Sequence, residues 1–207
     1  QAESSAASDV YKRQIADRAN LFGALEFSEV LSDNGIQPII GCQLPMSFKE
    51  ANLKKLRVTD RLSMLFLATN ELGYRNLMEL SSKFFLNDTY RFEGMSIREI
   101  DKFSDGLICL SGGDESPINN LLKDNKIKEA KNLLLHFKRT FGDRLYLEMN
   151  RHPLGENYSD KVNIEDNILD LADKQRLPLV ATNDAYFLEK KLHQPHDALL
   201  CIAEGSC

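Results

Sequence analysis

The sequence contains no tryptophan, only four histidines and no Cys-x-x-Cys pair among its four cysteines. Closely spaced histidines and paired cysteines are the usual ligands of zinc and of iron–sulfur clusters, so no such centre is indicated. No apolar run approaches the roughly 18 residues that a membrane-spanning helix needs, and no basic and apolar leader of a secretory signal is present. We therefore expect a cytoplasmic protein that makes no contact with a membrane.

The charge balance of the 207 residues excludes a general attraction to nucleic acid. The formal net charge is -5, with 26 Lys and Arg against 31 Asp and Glu, and 43% of the residues are hydrophobic. This is the composition of an ordinary globular protein, and the length suits one large α/β domain. A nucleic-acid role would need a local basic patch or a partner. Lys54, Lys55 and Arg57 form one small basic cluster, for which a solvated surface is favoured over a contact with DNA.

The cysteines occur singly, in apolar surroundings. Cys42 and Cys109 lie in strand-like runs, and Cys201 lies in a helix-like run. Isolated cysteines of this kind are typical of buried thiols in a reducing compartment. We predict free, buried thiols rather than disulfides, with Cys207 as the fourth.

The first 14 residues differ from the remainder of the chain. Residues 1–8 are small, polar and without a pattern, and residues 9–14 read Asp-Val-Tyr-Lys-Arg-Gln. That peptide is encoded by GAT GTG TAT AAG AGA CAG, the end of a transposon adapter used in preparing sequencing libraries. We predict that residues 1–14 are a non-native tail and that native protein begins near Ile15, the alternative being a short disordered tail.

Apolar spacing along the chain predicts alternating strands and helices. The strand-like runs are continuously apolar instead of alternating, which favours parallel strands covered by helices. Asn70 is placed to cap the helix that follows it. The predicted strands cover 37–44, 62–69, 107–110, 145–149 and 179–182, with 15–17 as the end of a sixth; the predicted helices cover 21–31, 72–85, 96–103, one or two within 116–141, 164–175 and 196–203.

The last predicted strand ends in polar residues at the place where an α/β protein usually houses its chemistry. Residues 179–182 lead into Asn183 and Asp184. A metallohydrolase barrel would place a pair such as Asp-x-His here, whereas this sequence has Asp184-Ala185-Tyr186. The carboxylate is present and the imidazole is absent, so the pattern indicates half of a metal site.

Five short strings, taken in order, carry a family resemblance. They are DRANLFG at 17–23, GIQPIIGCQ at 35–43, NELGYRNL at 70–77, GLICLSGG at 106–113 and VATND at 180–184. With these strings, residues 15–207 resemble the PHP (polymerase and histidinol phosphatase) domain of bacterial DNA polymerase III alpha subunits. The resemblance implies a distorted seven-stranded β/α barrel, related to the TIM barrel, of which the first strand, carrying His-x-His, and most of the second are missing here.

The resemblance also implies a metal site, and most of its ligand positions are changed in this chain. The position of the family's Asp-His pair is occupied here by Asp17-Arg18. The other changed ligand positions are Gln43, Ser63, Gly113 and Tyr186. Only Asp17 and Asp184 keep a side chain that can bind a metal ion. A permanent guanidinium cation at about 4 Å from a divalent ion costs on the order of 8 kcal/mol at an effective dielectric of about 20. We therefore predict a degenerate site without metal, and we hypothesise that Arg18 pairs with Asp17 or Asp184 as a tie across the barrel.

The function that the resemblance implies belongs to a longer protein. The parent would be the DNA-directed DNA polymerase of bacterial replication, which uses magnesium and DNA, while this fragment would need no cofactor and have no catalytic residue. Its implied role is a scaffold that docks the proofreading exonuclease and other polymerase III holoenzyme subunits. The alternatives are an active metal-dependent phosphoesterase or 3′–5′ exonuclease of the same fold, a stand-alone barrel hydrolase, and the error-prone polymerase paralogue.

Three further features have a structural interpretation beside a functional one. His193 and His196 could share a helix face as zinc ligands, but a capping or packing role at the end of the domain is favoured. His152 precedes a proline and is predicted to be a loop residue. The run Ser111-Gly112-Gly113 could cradle a phosphate through its N–H groups, although a tight strand-to-helix turn explains it without a ligand.

Overall fold

A computed structural model describes residues 11–48, 62–150, 158–183 and 189–205 of the chain. Within these ranges the protein is a curled mixed sheet that forms a half-barrel, with α-helices packed on it. This architecture agrees with the α/β barrel that the sequence predicts. No helix in these ranges combines the length and the apolar character needed to cross a membrane.

The sheet has the order β1-β2-β3-β5-β6-β7, and the short β4 pairs with β2 away from this path. The pairs β1–β2, β5–β6 and β6–β7 are parallel, as is β2–β4. The count of seven strands therefore includes the two-residue β4, which the apolar pattern did not predict. The strands span Lys12–Arg18, Gln37–Ser47, Ser63–Ala68, Met95–Ser96, Leu107–Leu110, Leu145–Asn150 and Leu179–Thr182.

The prediction of parallel strands is wrong for β3, which runs antiparallel to both β2 and β5. Its residues Met64 and Phe66 are fully buried. A continuous apolar run indicates that both faces of a strand are covered. This is true of an interior strand whether it runs parallel or antiparallel to its neighbours. The pattern therefore identified a buried strand but carried no information on its direction.

Strand β1 begins at Lys12, inside the segment that we predict to be a non-native tail. Its residues pair in parallel register with β2 from Lys12 opposite Gln37 to Arg18 opposite Gln43. Strand pairing uses main-chain N–H and C=O groups, which almost any sequence supplies. The pairing is therefore compatible with either origin of residues 12–14, and their foreign origin stays a prediction.

The helices that the apolar periodicity predicts are present in the structure, which also has one helix that the periodicity did not predict. Asn70 caps α2 as predicted, because its side chain accepts a hydrogen bond from the backbone N–H of Gly73 at 2.9 Å. The predicted helical region 116–141 consists of two helices, and the helix Asp88–Glu93 was not predicted. The α-helices α1 to α8 span Ala24–Asp33, Glu71–Leu86, Asp88–Glu93, Ile97–Lys102, Pro117–Lys123, Ile127–Phe141, Tyr158–Gln175 and His193–Glu204.

The core lies between the sheet and the inner faces of the helices. Helix α6 contributes a buried stripe that includes Leu134, Phe137 and Phe141, and the rings of Phe66 on β3 and Phe141 lie 5.9 Å apart. Burial of large aromatic side chains of this kind is a principal source of stability in a domain of this size. Strands β3 and β5 contribute buried residues to this core, including Phe66 and Leu107.

The cysteines are less uniform than the sequence predicts. Cys42 and Cys109 are fully buried, whereas Cys201 is partly exposed and Cys207 lies outside the described ranges. Burial, assisted by the negative charge of Asp17, raises the pKa of Cys42 to about 12. Burial also raises the pKa of Cys109 well above its usual range.

Because the thiolate is the reactive species, Cys42 and Cys109 should resist iodoacetamide at pH 8 in the folded protein. Cys201 should be alkylated, and all three should react in concentrated urea. Peptide mass mapping after timed alkylation assigns each modification to its cysteine. Labelling of native Cys42 at the rate of Cys201 would show that the β1–β2 pair opens readily and would contradict the buried environment.

Candidate functional site

The carboxylate of Glu115 is the centre of a polar cluster at one edge of the sheet. Its Oε2 atom accepts hydrogen bonds from Arg18 Nη2 at 2.7 Å, from Ser63 Oγ at 2.6 Å and from Gln43 Nε2 at 3.3 Å. Gln43 Nε2 also donates to Ser63 Oγ at 2.8 Å. Ser63 is fully buried, while the side chains of Arg18 and Glu115 are 44% and 43% exposed. The cluster therefore extends from a buried hydroxyl to a partly exposed ion pair.

The strand directions explain why these residues meet. Arg18 is the last residue of β1, and Gln43 is its partner in the parallel register. Strand β3 is antiparallel, so its first residue, Ser63, is delivered to the edge where β1 and β5 end. Glu115 follows β5 closely. The inversion of β3 thus brings a hydroxyl to the edge where the neighbouring parallel strands present their last residues.

A sharp turn after β5 aims Glu115 at the cluster. Gly112 and Gly113 have φ values of +99° and +54°, which favour glycine because a side chain would be strained there. A Cβ on Gly112 would also lie 2.3 Å from the carbonyl oxygen of Ser63. The 3₁₀ turn Gly113–Glu115 follows, and Ser116 then caps α5 through its side chain. The two glycines therefore let the chain turn from β5 against β3 and carry Glu115 to Arg18.

A second carboxylate, Glu148 on β6, lies behind this turn and is only 7% exposed. Its Oε2 accepts from the backbone N–H of Gly112 at 2.9 Å, and its Oε1 accepts from Thr182 Oγ1 at 2.5 Å. The backbone N–H of Glu148 donates to Ser111 Oγ at 2.9 Å. Glu148 therefore ties β5, β6 and β7 together at the edge that carries the cluster.

The turn at Gly112 and Gly113 already has an anionic partner within the protein, the carboxylate of Glu148. The Gly112 N–H that could have faced a phosphate donates to the Glu148 carboxylate instead. This geometry favours the structural interpretation of Ser111-Gly112-Gly113 as a strand-to-helix turn. Glu148 could have been identified from the sequence. It is the one charged residue inside the apolar run 145–149, and a charge in such a run indicates a buried polar contact.

Four of the predicted site positions lie together: Arg18, Gln43, Ser63 and Gly113. Glu115, which connects three of them, was not predicted, although it stands only two residues beyond Gly113. A carboxylate on a turn gives no sign in the sequence of which strand it will face. Only the order and direction of the strands show that β1, β2 and β3 place their hydrogen-bond donors beside Glu115.

Asp17 is turned away from this cluster. A Cβ built on Gly23, just before α1, would lie 3.6 Å from Asp17 Oδ2, and the charge of Asp17 acts on Cys42. Neighbouring residues of a strand point to opposite faces, so Asp17 and Arg18 face different sides of the sheet. Arg18 pairs with Glu115, and the hypothesised partner Asp184, together with Tyr186, lies outside the described residues.

The described donors do not fit a metal ion of the kind that the family implies. In the described ranges, no group of three His, Cys, Asp or Glu side chains is arranged to hold one. Glu115 Oε2 is occupied by three donors, and both oxygens of Glu148 are hydrogen-bonded. A guanidinium also stands 2.7 Å from the Glu115 carboxylate. The carboxylates of Glu115 and Glu148 are therefore already hydrogen-bonded to protein donors. Arg18 places a positive charge where a metal ion would need a negatively charged ligand.

The remaining candidates from the sequence lie apart from the cluster or beyond the described ranges. His193 and His196 fall in the first turn of α8, and each makes an interaction with other groups. His152 and the basic run Lys54, Lys55 and Arg57 fall outside the described part of the chain.

Comparison with known proteins agrees with the fold. Residues 5–152 match the PHP domain family, and this match begins inside the segment 1–14. The chain is 41% identical over 193 residues to DNA polymerase III subunit alpha of Caulobacter vibrioides, covering 93% of the chain and 16% of that protein. It is 36% identical over 192 residues to the subunit of the same name from Rickettsia bellii, covering 92% and 15%.

A more distant relative gives the same result. The DNA polymerase III subunit alpha of Borreliella burgdorferi is 33% identical over 194 residues, covering 93% of the chain and 17% of that protein. The chain therefore spans about one-sixth of the length of these curated relatives.

Proposed function

Because the chain belongs to the PHP domain family, in the form found in DNA polymerase III alpha subunits, we propose that it serves as the scaffold module of a bacterial replicative DNA polymerase. The whole polymerase adds deoxynucleotides to a primer with magnesium. The module itself hydrolyses nothing; it supports the polymerase core and docks the proofreading exonuclease and other holoenzyme subunits. The names of the relatives support the polymerase assignment.

The occupied carboxylate of Glu115 carries the scaffold part of the proposal. Three donors from three different strands converge on its Oε2 atom. An enzyme of this fold needs carboxylates that are free to bind metal ions and to activate water. Among the described residues, the Glu115 carboxylate at the corresponding edge is already bound by hydrogen bonds and an ion pair, so it acts as a tie between strands.

Metal analysis tests this proposal directly. The chain is incubated with Mn²⁺ and Zn²⁺, passed through a desalting column and analysed for metal, and a metal-binding PHP phosphoesterase is treated in parallel as the control. We expect the control to retain its ions and this chain to retain well under one ion per molecule. Retention of two or more ions per chain, with release of nucleotides from a DNA 3′ end, would replace the scaffold by an active phosphoesterase or exonuclease.

Docking is tested with the proofreading exonuclease subunit from the same source. The two proteins are mixed and separated by size-exclusion chromatography, with bovine serum albumin as the unrelated control. We expect the exonuclease to co-elute with the chain and the albumin to elute alone. Independent elution of the exonuclease at concentrations well above those in the cell would remove the docking role and leave only support of the polymerase core.

A further inference from the structure

Positive charge is concentrated in one short stretch of this otherwise acidic protein. Residues 123–139 contain six Lys or Arg against two Asp or Glu, a net charge of +4, while the whole chain has a net charge of -5. The remaining 190 residues therefore carry a net charge of -9. An acidic protein needs a local basic patch of this kind to contact nucleic acid directly.

Helix α6 places four of these cations on one side. With 100° of rotation per residue, Lys128, Lys131, Lys138 and Arg139 fall within about 100° of arc, opposite the buried stripe of the helix. We call these four residues the α6 basic face. Lys128, Lys131 and Arg139 are exposed. At a rise of about 1.5 Å per residue, the basic face is about 16 Å long.

The charge of the basic face is not neutralised within the described part of the protein. Lys128, Lys131 and Arg139 make no ion pair with any residue in the described ranges. Lys138 Nζ donates to the backbone carbonyl of Gln175 at 2.5 Å, a neutral acceptor that leaves its charge in place. Glu129, the one acidic residue of α6, lies well outside the arc of the basic face. Among the described residues, the face therefore presents uncompensated positive charge to solvent.

We propose that the α6 basic face binds the phosphate backbone of duplex DNA. Lysine is depleted in protein–protein interfaces, whose centres are apolar, and Leu135 is the only large apolar residue on this face. Single-stranded nucleic acid is usually bound by stacking on aromatic rings, and Phe137 and Phe141 of α6 are buried. A line of long cationic side chains without aromatic groups matches the phosphates of a duplex, which Lys and Arg contact without regard to base sequence.

The choice of DNA over another polyanion rests on the proposed function, since a module of a DNA polymerase works beside duplex DNA. The contact would help to hold the duplex near the polymerase core through sequence-independent charge. Such binding weakens with salt because each phosphate contact releases a bound counterion. With three or four contacts, the logarithm of the affinity should fall with the logarithm of the salt concentration at a slope of about -3.

The test uses fluorescence anisotropy of a labelled duplex at low salt, with the 207-residue chain and a triple variant. The variant carries Lys128→Glu, Lys131→Glu and Arg139→Glu. We expect it to bind on the order of 10-fold or more weakly than the unchanged chain, with a shallower salt slope. Circular dichroism establishes that the variant is folded, as expected for substitutions at exposed positions.

A matched control separates the basic face from net charge. The control variant carries Arg75→Glu, Lys174→Glu and Lys191→Glu, which change the net charge by the same amount. Each of these cations already pairs with a carboxylate, at 2.5 Å from Glu71, 2.7 Å from Asp170 and 2.7 Å from Glu189 respectively. We expect the control variant to bind duplex DNA within about twofold of the unchanged chain, because these positions lie outside the proposed contact.

Three outcomes would overturn the inference. One is no binding of duplex by the unchanged chain at low salt, and another is an equal loss of affinity in both triple variants. The third is tighter binding of poly-glutamate than of duplex, which would indicate an acidic protein as the partner. None of these results bears on metal content or on exonuclease docking, so the inference can fail while the proposed function stands, and the reverse is also true.

Discussion

Replacement of Gly73 by alanine is expected to lower the free energy of unfolding by about 3 kcal/mol, although alanine is the better helix former by about 1 kcal/mol. Gly73 lies in the first turn of α2, and a Cβ there would stand 1.9 Å from the carbonyl oxygen of Gly106. That oxygen cannot move freely, because it accepts from both the backbone N–H and the hydroxyl of Thr69 at 2.9 Å. Urea unfolding followed by circular dichroism measures the loss.

Gly35→Ala is the matched control for Gly73→Ala. Gly35 has a φ of +70°, and a Cβ at this position would have no neighbour within 4 Å. Its replacement should cost about 1 kcal/mol from backbone strain alone, without a steric contact. If Gly73→Ala were as stable as the unchanged chain, or more stable, then α2 would not pack directly on the turn that precedes β5, and the described contact would be wrong.

Replacement of Glu148 by alanine is expected to cost about 3 kcal/mol, which is large for the removal of a charged residue. Alanine would leave the buried N–H of Gly112 and the hydroxyl of Thr182 without their acceptor. Hydrogen bonds to a charged group contribute about 1.5–3 kcal/mol each, and an orphaned buried donor adds a desolvation penalty. The turn that carries Glu115 should loosen with it, so urea unfolding and hydrogen exchange at Gly112 should both report the change.

The conservative variant Glu148→Gln separates shape and hydrogen bonding from charge. Its amide oxygen can accept from Gly112, and the Thr182 hydroxyl can rotate to accept from the amide nitrogen, so we expect a loss of about 1 kcal/mol or less. An equal and large loss in both variants would show that the negative charge itself is required. A negligible loss in Glu148→Ala would mean that Glu148 does not connect the three strands.

Local chemistry made much of the fold predictable. Asn70 could be identified as a helix cap because a cap depends on one side chain and the backbone N–H groups directly after it. The strands near 107–110 and 179–182 and the long helices were found because an apolar stripe must be covered wherever the chain folds. The end of β1 was found for the same reason, although the strand extends back to Lys12.

Residues whose partners are distant in sequence were predictable only in part. Arg18, Gln43, Ser63 and Gly113 were identified as a changed metal site through the family resemblance, and the structure brings them together. Glu115 was missed because its three donors are 97, 72 and 52 residues away along the chain. The pattern of apolar residues could not show that β3 is inverted, since burial on both faces is independent of strand direction.

The sequence by itself determined the class of the protein: the α/β pattern, the Asn70 cap and the strings that indicate the family are all local or nearly local properties. The tertiary structure decided which side chains Arg18, Gln43 and Ser63 contact. An ion pair between Arg18 and Glu115 exists only because β1 and the turn after β5 end at the same edge of the sheet, with the first residue of β3 between them. Side chains that far apart in the chain become partners through strand order and direction, and these are set by the packing of the whole core.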